Sequence, residues 1–545
     1  MGDRWILGIC DGQDAGAALV DGEGRLAFAV SEERLTRRSH QRGFPERAVR
    51  AALAERLSRG GRLDGVAVAT RTGRWPARRF DRRYRGVESA PGPLHPVSRA
   101  AAAWSRAAAR WFPDRSVRAS KEVLAARLQA LGVRAPLVLV DHYDSYAWAA
   151  AAGARDALVV TLDAFGDGAA GAVHRLDGSL RCCRRIPAPH SPALVVATAA
   201  RTAGVGGGGI RHLEVRAAHG DPDRLRPAFA SVLEVRDGVP RLIGREPLQR
   251  LARALTNEPP EDIAAALHAH VEEVTLQLIR QARHDFGGRQ LRLGGGLFAN
   301  ASLVHAVALD ALDGGMDDVF VFPATGDAGL CAGAAIAQRV ALGGGGYGLD
   351  AARIGPLAWD ENAPIPMRVP PLPIEESPVA ARDVLKRGEL LARCTRRMEF
   401  GDRALGARSF LFLPDDPARS RHLNANLGRD WLMPFGAALP IEEAETLLQG
   451  WRPGLLPLAR YATVALRATE AMKQRAPATV HVDGTVRAQV VRPQDDPVLH
   501  ALLMDMPGRV LGNAALRRAG GPIACSLEES AATAARAGAV MLWVS

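Results

Sequence analysis

Apolar residues alternate with small and polar ones over residues 5–10, 15–20 and 26–30, which predicts three short strands, the last two joined through Asp21-Gly22-Glu23-Gly24. Further strands are expected at 135–140 and 157–163. Behind Pro259-Pro260, Ile263, Leu267, Val271, Val274 and Leu278 recur at helical spacing, so a long amphipathic helix follows. Next come a strand at 291–293, the turn Gly294-Gly295-Gly296, a helix over 300–312, a strand at 319–322 and a small-residue helix ending near Ala341. Alternating strand and helix with glycines at the strand ends favours an α/β domain whose ligands sit at those ends. Glycines at 343–346 and the proline-rich run 364–378 interrupt the pattern. Beyond them strands are predicted at 390–394, 410–413, 461–466, 479–482, 486–491 and 540–544, with a helix at 526–537. No internal repeat is visible in the sequence.

Length and composition narrow the class. With 545 residues the chain can hold two or more domains, and 47% hydrophobic with 24% charged residues describes an ordinary soluble globular protein. The net charge of +11 is almost all arginine and is spread along the chain. A cluster at 71–85 sets seven arginines around Trp75, Phe80 and Tyr84; such interleaving suits single-stranded nucleic acid, but no second motif supports it and nucleic acid is not the expected partner. Lysine occurs only at Lys121, Lys386 and Lys473, so lysine chemistry has few candidates. Six scattered cysteines without metal-type spacing point to a reduced, cytoplasmic protein. No apolar run approaches the roughly 18 residues of a membrane helix, and no membrane association is expected.

One stretch carries the strongest signal: Arg397-Met398-Glu399-Phe400-Gly401-Asp402-Arg403-Ala404-Leu405-Gly406-Ala407-Arg408-Ser409. By pattern it is a strand end, a turn and a short helix presenting Arg403 and Arg408, paired donors for a phosphate or carboxylate. It resembles the R-M-E-F-G-P-R-A-L-G-N-R-S signature of the O-carbamoyltransferases that decorate antibiotics and nodulation factors. Glu32-Glu33-Arg34-Leu35-Thr36-Arg37, His40 and Phe44-Pro45 resemble the E-E-R-F-T-R, histidine and F-P segment of the same family.

The resemblance implies an actin-like, sugar-kinase-like ATPase domain at 1–355, a proline-rich linker at 356–378 and a C-terminal YrdC-like α+β domain at 379–545. It implies that the second domain makes carbamoyl-adenylate from carbamoyl phosphate and ATP. The first domain, with iron or a similar divalent metal, would then pass the carbamoyl group to a small-molecule hydroxyl. For the metal the family uses H-H-x-x-H and aspartates. Here His142 stands, followed by Tyr143 and Tyr146, so His142, Tyr146, Asp163 and Asp327 are the candidates; phenol oxygen binds ferric iron. The alternative is a lone histidine beside tyrosines packed in the core. Where the family reads H-D-A-S, this chain has Gln13-Asp14-Ala15-Gly16; glutamine orients a hydroxyl but does not take its proton. Gly294, Gly295, Gly296 and Asn300, with Gly326, match two nucleotide-binding glycine loops, and Arg403, Arg408, His481, Asp483 and Arg487 match positions that would hold the phosphates.

Other anchors differ. A family lysine is Gly428, an arginine is Met433, and N-T-S-F-N has become Asn513-Ala514-Ala515-Leu516-Arg517. Each lost charge-assisted hydrogen bond is worth about 1.5–3 kcal/mol, and together the losses would exceed ~5 kcal/mol, several thousand-fold in binding. The segment that should carry E-G-K reads Ile210-Arg211-His212-Leu213-Glu214. The expectation is therefore a divergent homologue, impaired in the standard chemistry, that partners an intact carbamoyltransferase paralogue or runs altered acyl transfer. The alternative is an active O-carbamoyltransferase. An oligomer is expected.

Overall fold

The computed structural model describes residues 4–71, 113–205, 209–344, 348–349, 352–359, 373–375, 378–430 and 432–545. The aromatic and arginine cluster after Arg71 and most of the proline-rich linker lie outside the described residues.

The first half opens with β1 (Arg4–Cys10), β2 (Gly16–Val20) and β3 (Leu26–Ser31), continued by β4 (Arg62–Ala69) and β5 (Leu137–Val140). They form one sheet in the order β3-β2-β1-β4-β5, with β1, β4 and β5 parallel and β2 and β3 antiparallel. After its first residue β1 is buried throughout, as a strand covered on both faces must be, and this accounts for its near-continuous apolar run.

The second half repeats that plan. β6 (Asp156–Gly166), β7 (Ala169–Asp177) and β8 (Leu180–Pro187) are antiparallel neighbours. A small hairpin, β9 (Leu233–Arg236) and β10 (Val239–Leu242), is followed by the long helix Pro260–Phe286, and then β11 (Gln290–Gly294) and β12 (Asp318–Val321) extend the sheet in parallel from β6. The order β8-β7-β6-β11-β12 is that of the first sheet. This duplicated five-stranded topology is the actin-like fold expected of the first domain. It is a repeat of topology, invisible as a repeat of residues because the same strand order tolerates any apolar set that fills its core.

The C-terminal region is a mixed seven-stranded sheet. Its strands are β13 (Pro373–Glu375), β14 (Leu391–Cys394), β15 (Arg408–Phe412), β16 (Gly436–Pro440), β19 (Ala488–Val491), β20 (Leu511–Ala515) and β21 (Met541–Val544); β17 (Leu466–Arg467) and β18 (Thr485–Val486) pair separately. Two sequence expectations fail here. The apolar run 461–466 is mostly a turn, with Ala462 at φ +51°. Tyr461 is buried edge-on against Phe320, so the apolar pattern records a loop buried between domains and not a strand. Residues 479–482 likewise leave a 3-10 turn, Pro477–Thr479, without pairing as a strand.

The signature stretch is also not a helix. Residues 401–407 form a string of bends between glycines at φ +120° (Gly401) and +91° (Gly406), and Arg408 begins β15. The loop is pinned from every side. The Glu399 carboxylate accepts from the Leu405 and Arg408 amides at 2.8 and 3.2 Å, and Asn513 and Gln489 donate to the carbonyls of Ala404 and Leu405. Arg34 crosses from the first half to the Gly401 carbonyl at 2.8 Å, and Arg37 reaches the Pro522 and Ile523 carbonyls. Both family segments therefore meet at the joint between the halves and the C-terminal sheet.

A single methyl group should disturb this joint. A Cβ at Gly401 would lie 2.6 Å from the Pro323 carbonyl oxygen at a left-handed φ, so Gly401→Ala should lower stability by about 1–3 kcal/mol. The control Gly521→Ala, with only the Arg518 carbonyl oxygen nearby at 3.6 Å, should sit near wild type. Scanning calorimetry distinguishes them, and equal melting temperatures for the two variants would contradict the assignment.

Candidate functional site

The parallel strands of the two halves present their carboxyl ends to each other, the position where open α/β sheets bind ligands. His142 opens the helix His142–Ala150 directly after β5. Asp141 caps that helix by accepting from the Tyr143 and Asp144 amides. The Asp167 carboxylate, from the second half, accepts from the backbone amides of His142 and Arg71 at 2.9 and 2.8 Å. Gly166 lets the two halves approach, because a Cβ there would overlap the His142 ring.

Among the described residues the imidazole makes a hydrogen bond at one nitrogen. Nδ1 lies 3.1 Å from Thr70 Oγ1, at the end of β4 where Thr70 takes φ +78°. Nε2 is buried with no partner at hydrogen-bond distance among the described residues, and makes longer ion-pair contacts, 4.0 Å from Asp163 Oδ2 and 3.8 Å from Asp327 Oδ1. Tyr146, one turn along the helix, places its hydroxyl against the Asp163 carboxylate and 2.8 Å from Asp327 Oδ1. All four expected residues thus converge, and one ligand atom from each of His142, Asp163 and Asp327 falls within 4.8 Å of the others. Tyr143 does not join them; its hydroxyl donates to the Ala169 carbonyl in the core.

The electrostatics follow from this crowding. Burial alone would depress the His142 pKa, but the carboxylates of Asp163 and Asp327 overcome it and raise it. Burial, reinforced by the same carboxylates, pushes the Tyr146 hydroxyl well above its ordinary value. Asp163 is held low, burial being outweighed by His142 and Tyr146. A single phenolic hydrogen cannot serve two ionised carboxylates at once, so the cluster calls for positive charge in its midst, as a proton on His142 or as a cation. An orphaned imidazole nitrogen, two carboxylates and a phenol are a donor set that fits iron or a similar metal.

Glycine loops border this pocket. The Gly295 amide donates to the Thr325 carbonyl at 3.0 Å, which brings the turn Gly294-Gly295-Gly296 alongside the loop holding Gly326. A Cβ on Gly296 would meet the Asp163 carboxylate, whereas Gly326 faces open space. Asn300 serves the fold itself, capping the helix Ala301–Asp313 by accepting from the Ser302 and Leu303 amides at 3.1 Å. In the first loop the Gln13 side-chain oxygen accepts from Arg42, while Asp14 Oδ1 lies 2.7 Å from Nδ1 of His40. That contact leads the effects raising the His40 pKa. The sequence placed His40 in a family segment without giving it a role; its pairing with Asp14 across 26 residues has no local signal.

The C-terminal candidates separate. Arg408 is fully buried, and its guanidinium donates to the carbonyls of Thr395, Ala407 and Cys525. In this arrangement it braces β15, where the sequence expected a phosphate ligand. Arg403 donates to the Ala299 carbonyl at 3.2 Å, and Arg487 meets both carboxylate oxygens of Glu214 at 3.4 Å. Glu214 also accepts from the Ser302 amide and hydroxyl. Although burial would raise its pKa, the charges of Arg487, Arg403 and His268 bring it down. Two expected phosphate ligands therefore face a buried carboxylate from the first domain. His481 lies 3.4 Å from Asp483, whose carboxyl is held low, against the effect of burial, by His481 and Thr485. Glu214 was legible only as a mismatch in a family segment.

Comparison with known proteins agrees with the motifs. Residues 241–336 match the family profile described as Carbamoyltransferase N-terminus, and residues 382–545 match Carbamoyltransferase C-terminus. An uncharacterized protein of Methanocaldococcus jannaschii is 26% identical over 45% of this chain and 41% of its own length. Nodulation protein NolO of Bradyrhizobium diazoefficiens is 28% identical over 58% of this chain and 61% of its own. Nodulation protein NolNO of Sinorhizobium fredii is 24% identical over 87% of this chain and 69% of its own. The chain thus spans less than two thirds of the length of the first two relatives. Both regions of the carbamoyltransferase family, N-terminal and C-terminal, are thus matched in this chain in their order along the sequence.

Proposed function

We propose that this chain is a divergent carbamoyltransferase of natural-product biosynthesis that does not form carbamoyl-adenylate alone by the standard route. It acts as accessory partner of an intact paralogue, or in altered acyl transfer to a small-molecule hydroxyl. The observation that carries this reading is Glu214. Its buried carboxylate faces Arg487 and lowers the positive potential of Arg403 where carbamoyl phosphate or ATP would need both. The burial of Arg408, and Gly428 in place of a lysine, support the same conclusion.

The converged cluster favours a second reading, an active O-carbamoyltransferase using carbamoyl phosphate and ATP. His142, Tyr146, Asp163 and Asp327 would hold the metal, with Thr70 fixing the His142 ring. A bound cation there would act as a Lewis acid toward a carbonyl or phosphoryl oxygen. His40, oriented by Asp14, supplies the base that Gln13 does not.

The assay is AMP formation by the purified chain with carbamoyl phosphate and ATP. The first reading expects none above the no-carbamoyl control; robust carbamoyl-dependent AMP would overturn it and leave the second.

Glu214→Gln should tighten carbamoyl phosphate binding several-fold by calorimetric titration, because it releases the two arginines. Unchanged or weaker binding would count against the role given to Glu214. The same residue sets a pH dependence. Its folded pKa lies below the ordinary 4.5, so its contribution to stability is complete above 4.5 and is lost as pH falls through the folded value. Acid unfolding below pH 4.5 should therefore be shallower in Glu214→Gln than in wild type.

For the cluster, elemental analysis of the second reading's enzyme should find one metal per chain. Thr70→Val should weaken metal binding by roughly 10- to 100-fold, and metal retained equally by Asp327→Asn would place it elsewhere.

A further inference from the structure

On the far side of the helix His142–Ala150 stands a second group of reactive side chains, separate from the strand-end pocket. Asp144 is two positions from His142 and so leaves the helix on the opposite face. Its carboxylate lies 2.9 Å from Nε2 of His174, on β7. His174 is buried, with 1% of its surface exposed, and its Nδ1 is enclosed without a partner at hydrogen-bond geometry among the described residues. In the antiparallel register of β7 and β8 the residue opposite His174 is Cys182, so the two side chains share a face of the sheet. Arg185, on the same strand, pairs with Asp141 at 2.9 Å and approaches Asp144 at 3.9 Å.

The arrangement is carboxylate, imidazole, thiol, with a guanidinium beside it. It follows the logic by which a carboxylate orients an imidazole and the imidazole activates a nucleophile. An exposed cysteine on an edge strand is commonly inert; the buried, otherwise unpartnered His174 nitrogen sets this one apart. Although partial burial would raise its pKa, His174 and Arg185 bring the Cys182 thiol below the ordinary value, against Asp144. By contrast burial pushes Cys331 up to about 12, and Cys394 and Cys525 are also raised by burial. Cys182 is exposed, so a reagent can reach it.

We propose that Cys182 is a reactive thiolate site, activated by His174 with Asp144 as the positioning residue, and that it takes low-molecular-weight disulfides. The Cys182 sulfur attacks one sulfur of the reagent, forming a new S–S bond as the reagent's own S–S bond breaks. The departing half leaves as a thiolate, so the protein sulfur is oxidised and the reagent half reduced, and the proton given up by Cys182 remains on His174. This inference stands independently of the transfer chemistry above.

The test uses the full reduced chain, treated with glutathione disulfide or with iodoacetamide from about pH 5.5 to about 9.5, a range that brackets ordinary thiol titration, and read by peptide mass mapping. Cys182 should react several-fold faster than its neighbour Cys183 at neutral pH, with a pH midpoint below the ordinary thiol value of 9.0. Asp144→Asn, which changes a partly exposed group, should move that midpoint upward, because losing the partner that keeps His174 charged outweighs relief of the direct Asp144 repulsion on the thiolate, and His174→Gln should move it further. The wild-type profile decides the matter even if the buried His174 variant fails to fold. Equal rates at Cys182 and Cys183, a midpoint at or above 9.0, or an unmoved midpoint in Asp144→Asn would overturn the proposal.

Discussion

A buried imidazole facing two half-buried carboxylates is the constraint around which this molecule is arranged. His142 comes from the first half, Asp163 and Asp327 from the second, and none is stable there without opposite charge close by. The duplicated sheet makes the meeting possible, since each half ends three parallel strands at the same cleft. Thr70, Asp167 and Gly166 then fix the approach: one orients the ring, one ties its backbone, and one leaves room for it. Tyr146, at the position of the motif's third histidine, sets its hydroxyl between the two carboxylates.

A second constraint joins this unit to the C-terminal sheet. Arg34 and Arg37 donate to backbone carbonyls of the other region, and the loop that follows Glu399 is threaded between Pro323 and Ala299. Residues whose spacing suggested ligand binding are in part structural braces. Arg408 is the clearest case, with every guanidinium nitrogen directed at a carbonyl. Arg487 shows a different outcome, because it meets the internal anion Glu214 at the domain joint.

What the sequence revealed, and what it hid, follows from the range of the interactions. Strands 5–10, 15–20 and 26–30 and the helix carrying Ile263 to Leu278 were legible because alternation and helical spacing are local signals. The approach of His142, Tyr146, Asp163 and Asp327 was legible only through family resemblance, as these positions lie on three separate stretches of two different halves. Four features escaped: the bends at 401–407, set by two left-handed glycines; the buried turn at 461–466, whose apolar residues face another domain; the unpaired stretch at 479–482; and the pairings of Asp14 with His40 and of Arg487 with Glu214. Each depends on tertiary packing that overrides local pattern, and none leaves a periodic trace.

On the proposed reading, with Glu214 against Arg487 and Arg408 in the core, the C-terminal half does not activate a carbamoyl group by itself. Carbamoyl-phosphate-dependent exchange of labelled pyrophosphate into ATP reports adenylate formation without requiring any acceptor. No exchange above background is predicted for the purified chain, with exchange appearing when an intact paralogue is added. Rapid exchange by the chain alone would contradict the claim.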